Sequence, residues 1–186
     1  MKQKEIKENI FILLKNSESH QRELARILKT NQTNVRRALI NLEKENIVEN
    51  KLAGKSKIYY IKNSLEASVF EGIAEFYKLF KILEKPVIRK IYKEIQEKIN
   101  SGAINPKTMI VLFGSYAKNL EKPKSDVDIY IDSNSKKEKN QIQEISNSIN
   151  VSFGAFDKKN LLLKEIKKNH VVLNNINAWL NLAKRK

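Results

Sequence analysis

The stretch from Thr108 to Ile131 constrains this chain more than any other. An apolar run, Thr108-Met109-Ile110-Val111-Leu112-Phe113, breaks at Gly114-Ser115 and continues through Tyr116-Ala117-Lys118. A polar loop around Pro123 leads to a second apolar run, Val127 to Ile131. This reads as strand, turn, short helix over Tyr116 to Leu120, loop and strand. Asp126 and Asp128 sit at the head of the second strand, one residue apart. Alternate residues of a strand share a face, roughly 6–7 Å apart along the backbone, so both carboxylates point the same way. Two such charges repel unless a cation lies between them. A hard, oxygen-liganded ion such as Mg2+, itself bound to phosphates, resolves that repulsion. The Gly114-Ser115 turn can present backbone N–H groups to the same phosphates.

The flanks extend the pattern. Lys136 to Ile149 is amphipathic and reads as a helix. Val151 to Phe156 is a third strand candidate, Asn160 caps a helix over Leu161 to Lys168, and Val171 to Leu173 is a short apolar run. A helical tail from Ile176 buries Trp179. His170 reads as a packed or exposed side chain rather than a catalytic base. Gly114, Ser115, Lys118, Asp126 and Asp128, in this order and context, resemble the DNA polymerase beta-type nucleotidyltransferase superfamily, specifically its small members, the minimal nucleotidyltransferases. The resemblance covers about residues 103–175. It implies that Gly114 and Ser115 hold the triphosphate of ATP or another NTP, that Lys118 pairs with phosphate, and that Asp126 and Asp128 are the catalytic, Mg2+-binding acids. The implied reaction transfers a nucleoside monophosphate to an acceptor hydroxyl on a protein or small molecule.

One departure stands out. The family carries a third carboxylate on the next strand, whereas here Asn150 and Ser152 occupy the expected face. Asp157 lies at the strand's end with the opposite parity. Asp132 shares parity with the acid pair but is about 13 Å beyond Asp128 along an extended strand. Asn119 replaces the family's usual glycine after the basic residue, and Asn tolerates unusual backbone angles. In some relatives the acceptor is a HEPN-type protein, in a toxin–antitoxin pair; such a partner would act in trans.

The N-terminal third follows another plan. Ile6, Ile10, Leu13 and Leu14 share a helical face over residues 5–15, and Leu24, Ile27 and Leu28 do so in a second helix. Lys29-Thr30-Asn31 interrupts, and Asn31 is a good N-cap for a helix to about Glu45. There Val35, Ala38, Leu39 and Leu42 face inward, leaving Gln32, Thr33, Arg36 and Arg37 outside. Ile47 to Leu52 and Ile58 to Ile61 form a hairpin around Ala53-Gly54-Lys55-Ser56-Lys57. Residues 1–62 therefore resemble a winged helix-turn-helix domain of transcription regulators. That resemblance implies double-stranded DNA as partner, with the helix bearing Gln32, Thr33, Arg36 and Arg37 in the major groove. Lys51, Lys55 and Lys57 of the wing would then contact phosphate.

Charge agrees with two basic ends. The net charge is +15, with 36 Lys and Arg against 21 acids. Residues 1–62 and 103–186 hold nearly all of the excess, and polyanions are natural partners for both. A lysine-rich composition that merely solvates the surface is the plainer alternative. The stretch between them, 63–102, reads as a helical connector: Val69, Phe70, Ile73, Phe76, Tyr77 and Phe80 form one stripe, and Pro86 opens a second helix ending near Ser101-Gly102. A homodimer is expected from this connector. With no cysteine, there is neither a disulfide framework nor a thiolate metal site. No run approaches the ~20 apolar residues of a membrane span, and a cytoplasmic location is the expectation. The expected architecture is α+β: a winged helix (1–62), a helical connector (63–102) and a nucleotidyltransferase-like domain with a small mixed sheet (103–186). Two functions remain open, an Mg2+-dependent nucleotidyltransferase or a transcriptional regulator whose transferase-like domain only binds nucleotide or a protein partner.

Overall fold

The computed structural model describes residues 5–156 and 161–184. Asp157 and Asn160, considered above as acid and cap, lie outside the described residues. The chain divides into two compact units, Met1–Ala74 and Glu75–Lys186. Each has its own small sheet, giving a mixed α+β architecture.

The first unit runs α1 (Ile6–Asn16), β1 (Ser19–His20), α2 (Gln21–Ile27), α3 (Gln32–Lys44), β2 (Val48–Ala53) and β3 (Ser56–Ile61), then enters α4 (Leu65–Ile82). Helix α3 starts where sequence places it, because the Asn31 side chain accepts a hydrogen bond from the Asn34 amide at 2.8 Å. Val35, Ala38, Leu39 and Leu42 are buried with Ile6, Ile10 and Phe11 of α1 and Leu24 of α2. The hairpin is longer than expected. Strand pairing continues to Ala53 opposite Ser56, so only Gly54 and Lys55 are left to turn. Gly54 adopts φ +62, a conformation that glycine enters freely. The sheet order is β1-β3-β2, all antiparallel. The two-residue β1 lies in what reads as a polar break, and has no alternation to betray it.

The second unit takes up α4 from Glu75 and continues with α5 (Pro86–Asn100), β4 (Met109–Phe113), α6 (Gly114–Ala117), β5 (Val127–Asp132), α7 (Lys136–Gln143), β6 (Ile149–Phe153), α8 (Leu161–Lys168), β7 (Val171–Asn174) and α9 (Ile176–Lys184). Its sheet is ordered β6-β5-β4-β7, with β5 and β6 parallel and the other pairs antiparallel. One face packs Ile110, Leu112, Ile129 and Ile131 against Ile88, Ile91 and Ile95 of α5. The other packs Met109, Val111 and Tyr130 against Ile166 and Trp179.

Three expectations need correction here. The helix expected to reach Ile149 stops at Gln143, and Ile149 instead opens β6 opposite Val127. Ile142, Ile145 and Ile149 keep a helical period, but the parallel pairing with β5 decides the last of them. Strand β6 accordingly spans Ile149–Phe153, starting two residues and ending three residues earlier than the expected Val151–Phe156. Helix α6 begins at Gly114 itself rather than at Tyr116. Among the described residues no helix is long and apolar enough to cross a membrane.

Candidate functional site

Strands β4 and β5 build the site between them. In their register Phe113 faces Asp128, so the chain leaves β4 for α6 directly beside the second acid. Gly114 takes φ +70 at that point. A Cβ there would lie 2.1 Å from Asp128 Oδ2, well inside contact distance. Glycine is thus required twice, for its backbone conformation and for the space the carboxylate occupies. Gly114, Ser115 and Asp128 are drawn into one locus by this approach.

On the far side of β5, parallel pairing sets Asn150 opposite Asp128. The strand that lacks an acid therefore presents an amide to the acid pair. Burial pushes the Asp128 carboxyl above its ordinary value; the Asn150 amide pulls it down and the charge of Asp126 pushes it up again. Asp126 precedes β5 and is exposed, while Asp128 is half-buried. The result is one accessible carboxylate and one partly desolvated carboxylate with an unfavourable neighbour.

These residues suit a cation that arrives with its own ligands. Among the described residues no cluster of three or more His, Cys, Asp or Glu can hold a metal. Mg2+, however, commonly binds through one or two carboxylates together with waters and substrate phosphates. The mutual repulsion at Asp126 and Asp128 is the feature such an ion relieves.

Lys118, expected to meet phosphate, pairs instead with Glu165 of α8 at 2.7 Å, and this pairing holds the Glu165 carboxyl below its ordinary value. Asn119 adopts φ 54 in the turn that follows. Asp132 does not join the acid pair. It lies at the opposite end of β5, facing Met109, and its Oδ1 accepts from the Phe156 amide at 3.0 Å. His170 is buried against Trp179, with ring centroids 4.0 Å apart. Its Nδ1 donates to the Ile166 carbonyl at 3.1 Å, and Nε2 faces Glu75 and Lys78. It is a packing residue of the second unit.

That opposite end of the sheet has a depression of its own, bordered by Asn105, Thr108, Asp132, Ser133 and Glu138. Its acids are already satisfied. Glu138 Oε1 accepts from the Asn105 amide at 2.8 Å and from Thr108 Oγ1 at 3.0 Å, and Oε2 accepts from Ser133 Oγ. Burial alone would raise the Glu138 carboxyl, but these donors together hold it below its ordinary value.

In the first unit, Gln32, Thr33, Arg36 and Arg37 are exposed at the N-terminal end of α3. Lys51 lies on β2, Lys55 in the turn and Lys57 on β3, all exposed. Lys51 pairs with Glu18 at 2.6 Å and lies over the Tyr60 ring.

A family model described as a nucleotidyltransferase domain matches residues 88–178, which contain Gly114, Ser115, Asp126, Asp128 and Asn150. The match supports the nucleotidyltransferase superfamily for this part of the chain. It implies a nucleoside triphosphate substrate, ordinarily with a divalent cation, and suggests nucleoside monophosphate transfer in general. No curated protein and no solved structure matches the chain.

Proposed function

We propose that the protein is an Mg2+-dependent nucleotidyltransferase that moves a nucleoside monophosphate from ATP or another NTP to a hydroxyl of a protein or small molecule, and that its first unit binds double-stranded DNA. The observation that carries the reading is the approach of Gly114 to Asp128. A phosphate-presenting turn and a carboxylate meet where a Cβ would fit nowhere. Gly114 and Ser115 hold the β- and γ-phosphates, and Asp126 and Asp128 hold the cation that accompanies them. Bound there, Mg2+ would supply charge neutralisation and in-line orientation of the α-phosphate. A HEPN-type protein acting in trans is one candidate acceptor, which would make the chain part of a toxin–antitoxin pair. The cytoplasm is the matching location.

The second reading is a regulator whose transferase-like domain binds nucleotide without turning it over. The observation favouring it is Asn150 opposite Asp128, since an amide neither ligates a second cation strongly nor accepts a proton from the attacking hydroxyl. The DNA-binding part of either reading rests on the order α1-β1-α2-α3-β2-β3 and on the basic groups exposed along α3 and the β2–β3 turn.

Incubation with Mg2+ and labelled NTPs, alone and with candidate acceptors, tests the reaction. Label transfer that disappears in Asp126→Asn/Asp128→Asn supports the enzyme. Nucleotide binding without transfer leaves the regulator. For DNA, Arg36→Ala/Arg37→Ala should weaken binding and flatten its salt dependence by roughly one unit of slope per lost phosphate contact. Unchanged affinity would remove α3 from the interface.

A further inference from the structure

Between α6 and β5 the chain passes twice through left-handed backbone. Asn119 does so at the end of α6, with φ 54, an angle that asparagine tolerates. The second passage is the turn Lys122-Pro123-Lys124-Ser125, directly ahead of Asp126. The Ser125 amide donates to the Lys122 carbonyl at 2.9 Å, and the Lys122 amide donates to Ser125 Oγ at 2.8 Å. The four residues are thus closed from both sides. Pro123 fixes the first central φ and Lys124 takes φ 70 at the second, the pattern of a type II turn. That second position ordinarily belongs to glycine or asparagine, which enter it at little cost. A lysine held there is strained, and strain that persists beside reactive groups points to a use.

We propose that Lys124 binds the polyphosphate of the incoming nucleotide, the role that Lys118 leaves open. The proposal rests on the nucleotide reading of the Gly114–Asp128 site. Mg2+ neutralises only part of the charge that a triphosphate and two carboxylates bring together, so a further cation is needed beside them. Two nearby lysines are already engaged, Lys118 with Glu165 and Lys85 with Glu121. Lys124 is exposed, and among the described residues its ammonium meets no acid, Asp126 included. Its backbone lies two residues from Asp126, a span of at most about 7 Å. Lys122 is exposed too, but it stands farther from the acids and serves the turn through its backbone. The loop that carries Lys124 leaves from the helix opened by Gly114 and returns to the acid pair, so it borders both halves of the site. A doubly closed, proline-stiffened turn fixes the lysine's backbone before the ligand arrives, and less freedom is lost on binding.

Titration calorimetry on the full chain with ATP, GTP, CTP and UTP in Mg2+ tests the assignment. Lys124→Asn should weaken the best-bound triphosphate about tenfold, the size of one charge-assisted contact. Its melting temperature should be unchanged or higher, because asparagine accepts the left-handed angle. Lys124→Arg should stay within about threefold of wild type, and Lys122→Ala within about twofold. The deficit of Lys124→Asn should shrink between about 50 and about 500 mM salt, as screening removes the contact from wild type as well. The matching nucleoside monophosphate should bind wild type and Lys124→Asn alike. The proposal is overturned if Lys124→Asn binds the triphosphate as wild type does, if it loses the monophosphate equally, or if its deficit ignores salt. A wild type that binds none of the four triphosphates removes the nucleotide reading, and this assignment with it.

Discussion

The two ends of the β4–β5 pair carry similar chemical groups and treat them in opposite ways. At the Met109 end, Asp132 and Glu138 are answered by the protein: a backbone amide holds one, and an amide and two hydroxyls hold the other. At the Phe113 end, Asp128 is partly desolvated, sits beside Asp126 and meets a single amide across the strand. A carboxylate neutralised from within needs no further partner, whereas an under-compensated one suits a ligand that brings positive charge. The depression at the first end is therefore the less informative of the two, for all its polar lining.

The contrast can be broken by substitution, and the largest effect belongs to Gly114. Gly114→Ala puts a methyl group 2.1 Å from Asp128 Oδ2 and forces a positive φ on alanine. Nucleotide binding should fall at least 100-fold, read by titration calorimetry, because the acid and the turn can no longer share the space. Binding within a few-fold of wild type would separate the turn from the acid.

Glu138→Gln should do the reverse. It removes charge from a carboxylate that accepts from three donors, at a cost of about 2 kcal/mol in stability, with nucleotide binding untouched. Stability from the wild-type carboxylate is present above the ordinary carboxylate range and is lost as pH falls through its lowered folded value. The deficit of Glu138→Gln in thermal melts should thus be full near pH 7 and shrink in acid. A constant deficit would assign the effect to packing rather than charge.

Asp128→Asn gives the smallest effect and the opposite sign. A carboxyl raised by burial destabilises the fold as pH climbs from the ordinary carboxylate range through the raised folded value. Neutralising it should raise the melting temperature of the free protein by about 1–3 °C at pH 7 and by nothing in acid. A lower melting temperature at pH 7 would mean that Asp128 is structural, like Glu138.

Much of this was legible in the residues. Asn31 and the burial period marked α3, and the apolar runs around Gly114 and Asp128 marked β4 and β5. The family resemblance and strand parity together put Asn150 and Ser152 on the expected face, and the β5–β6 register sets Asn150 opposite Asp128. Other features depended on partners distant in sequence. The end of α7 was hidden because Ile149 fits a helical period until Val127 claims it as a strand neighbour. Helix α4 shows an apolar stripe whichever way it faces, so periodicity could not tell the buried Phe70 from the exposed Phe76. Nothing local predicts that Lys118 turns to Glu165, or that Asp132 is taken up by the Phe156 amide. Glycine at 114 announced a turn, but its approach to Asp128 follows only from the register of Phe113 with that residue.

The central claim is that the Phe113 end is built for a nucleotide and its cation. A thermal melt with each of the four NTPs, in Mg2+ and in EDTA, tests it directly. Saturating ligand at about 100 times its dissociation constant adds ~2.7 kcal/mol. The account predicts a rise of several degrees with at least one NTP in Mg2+, absent in EDTA and in Asp126→Asn/Asp128→Asn. No rise with any NTP, or an equal rise in the double variant, would contradict it.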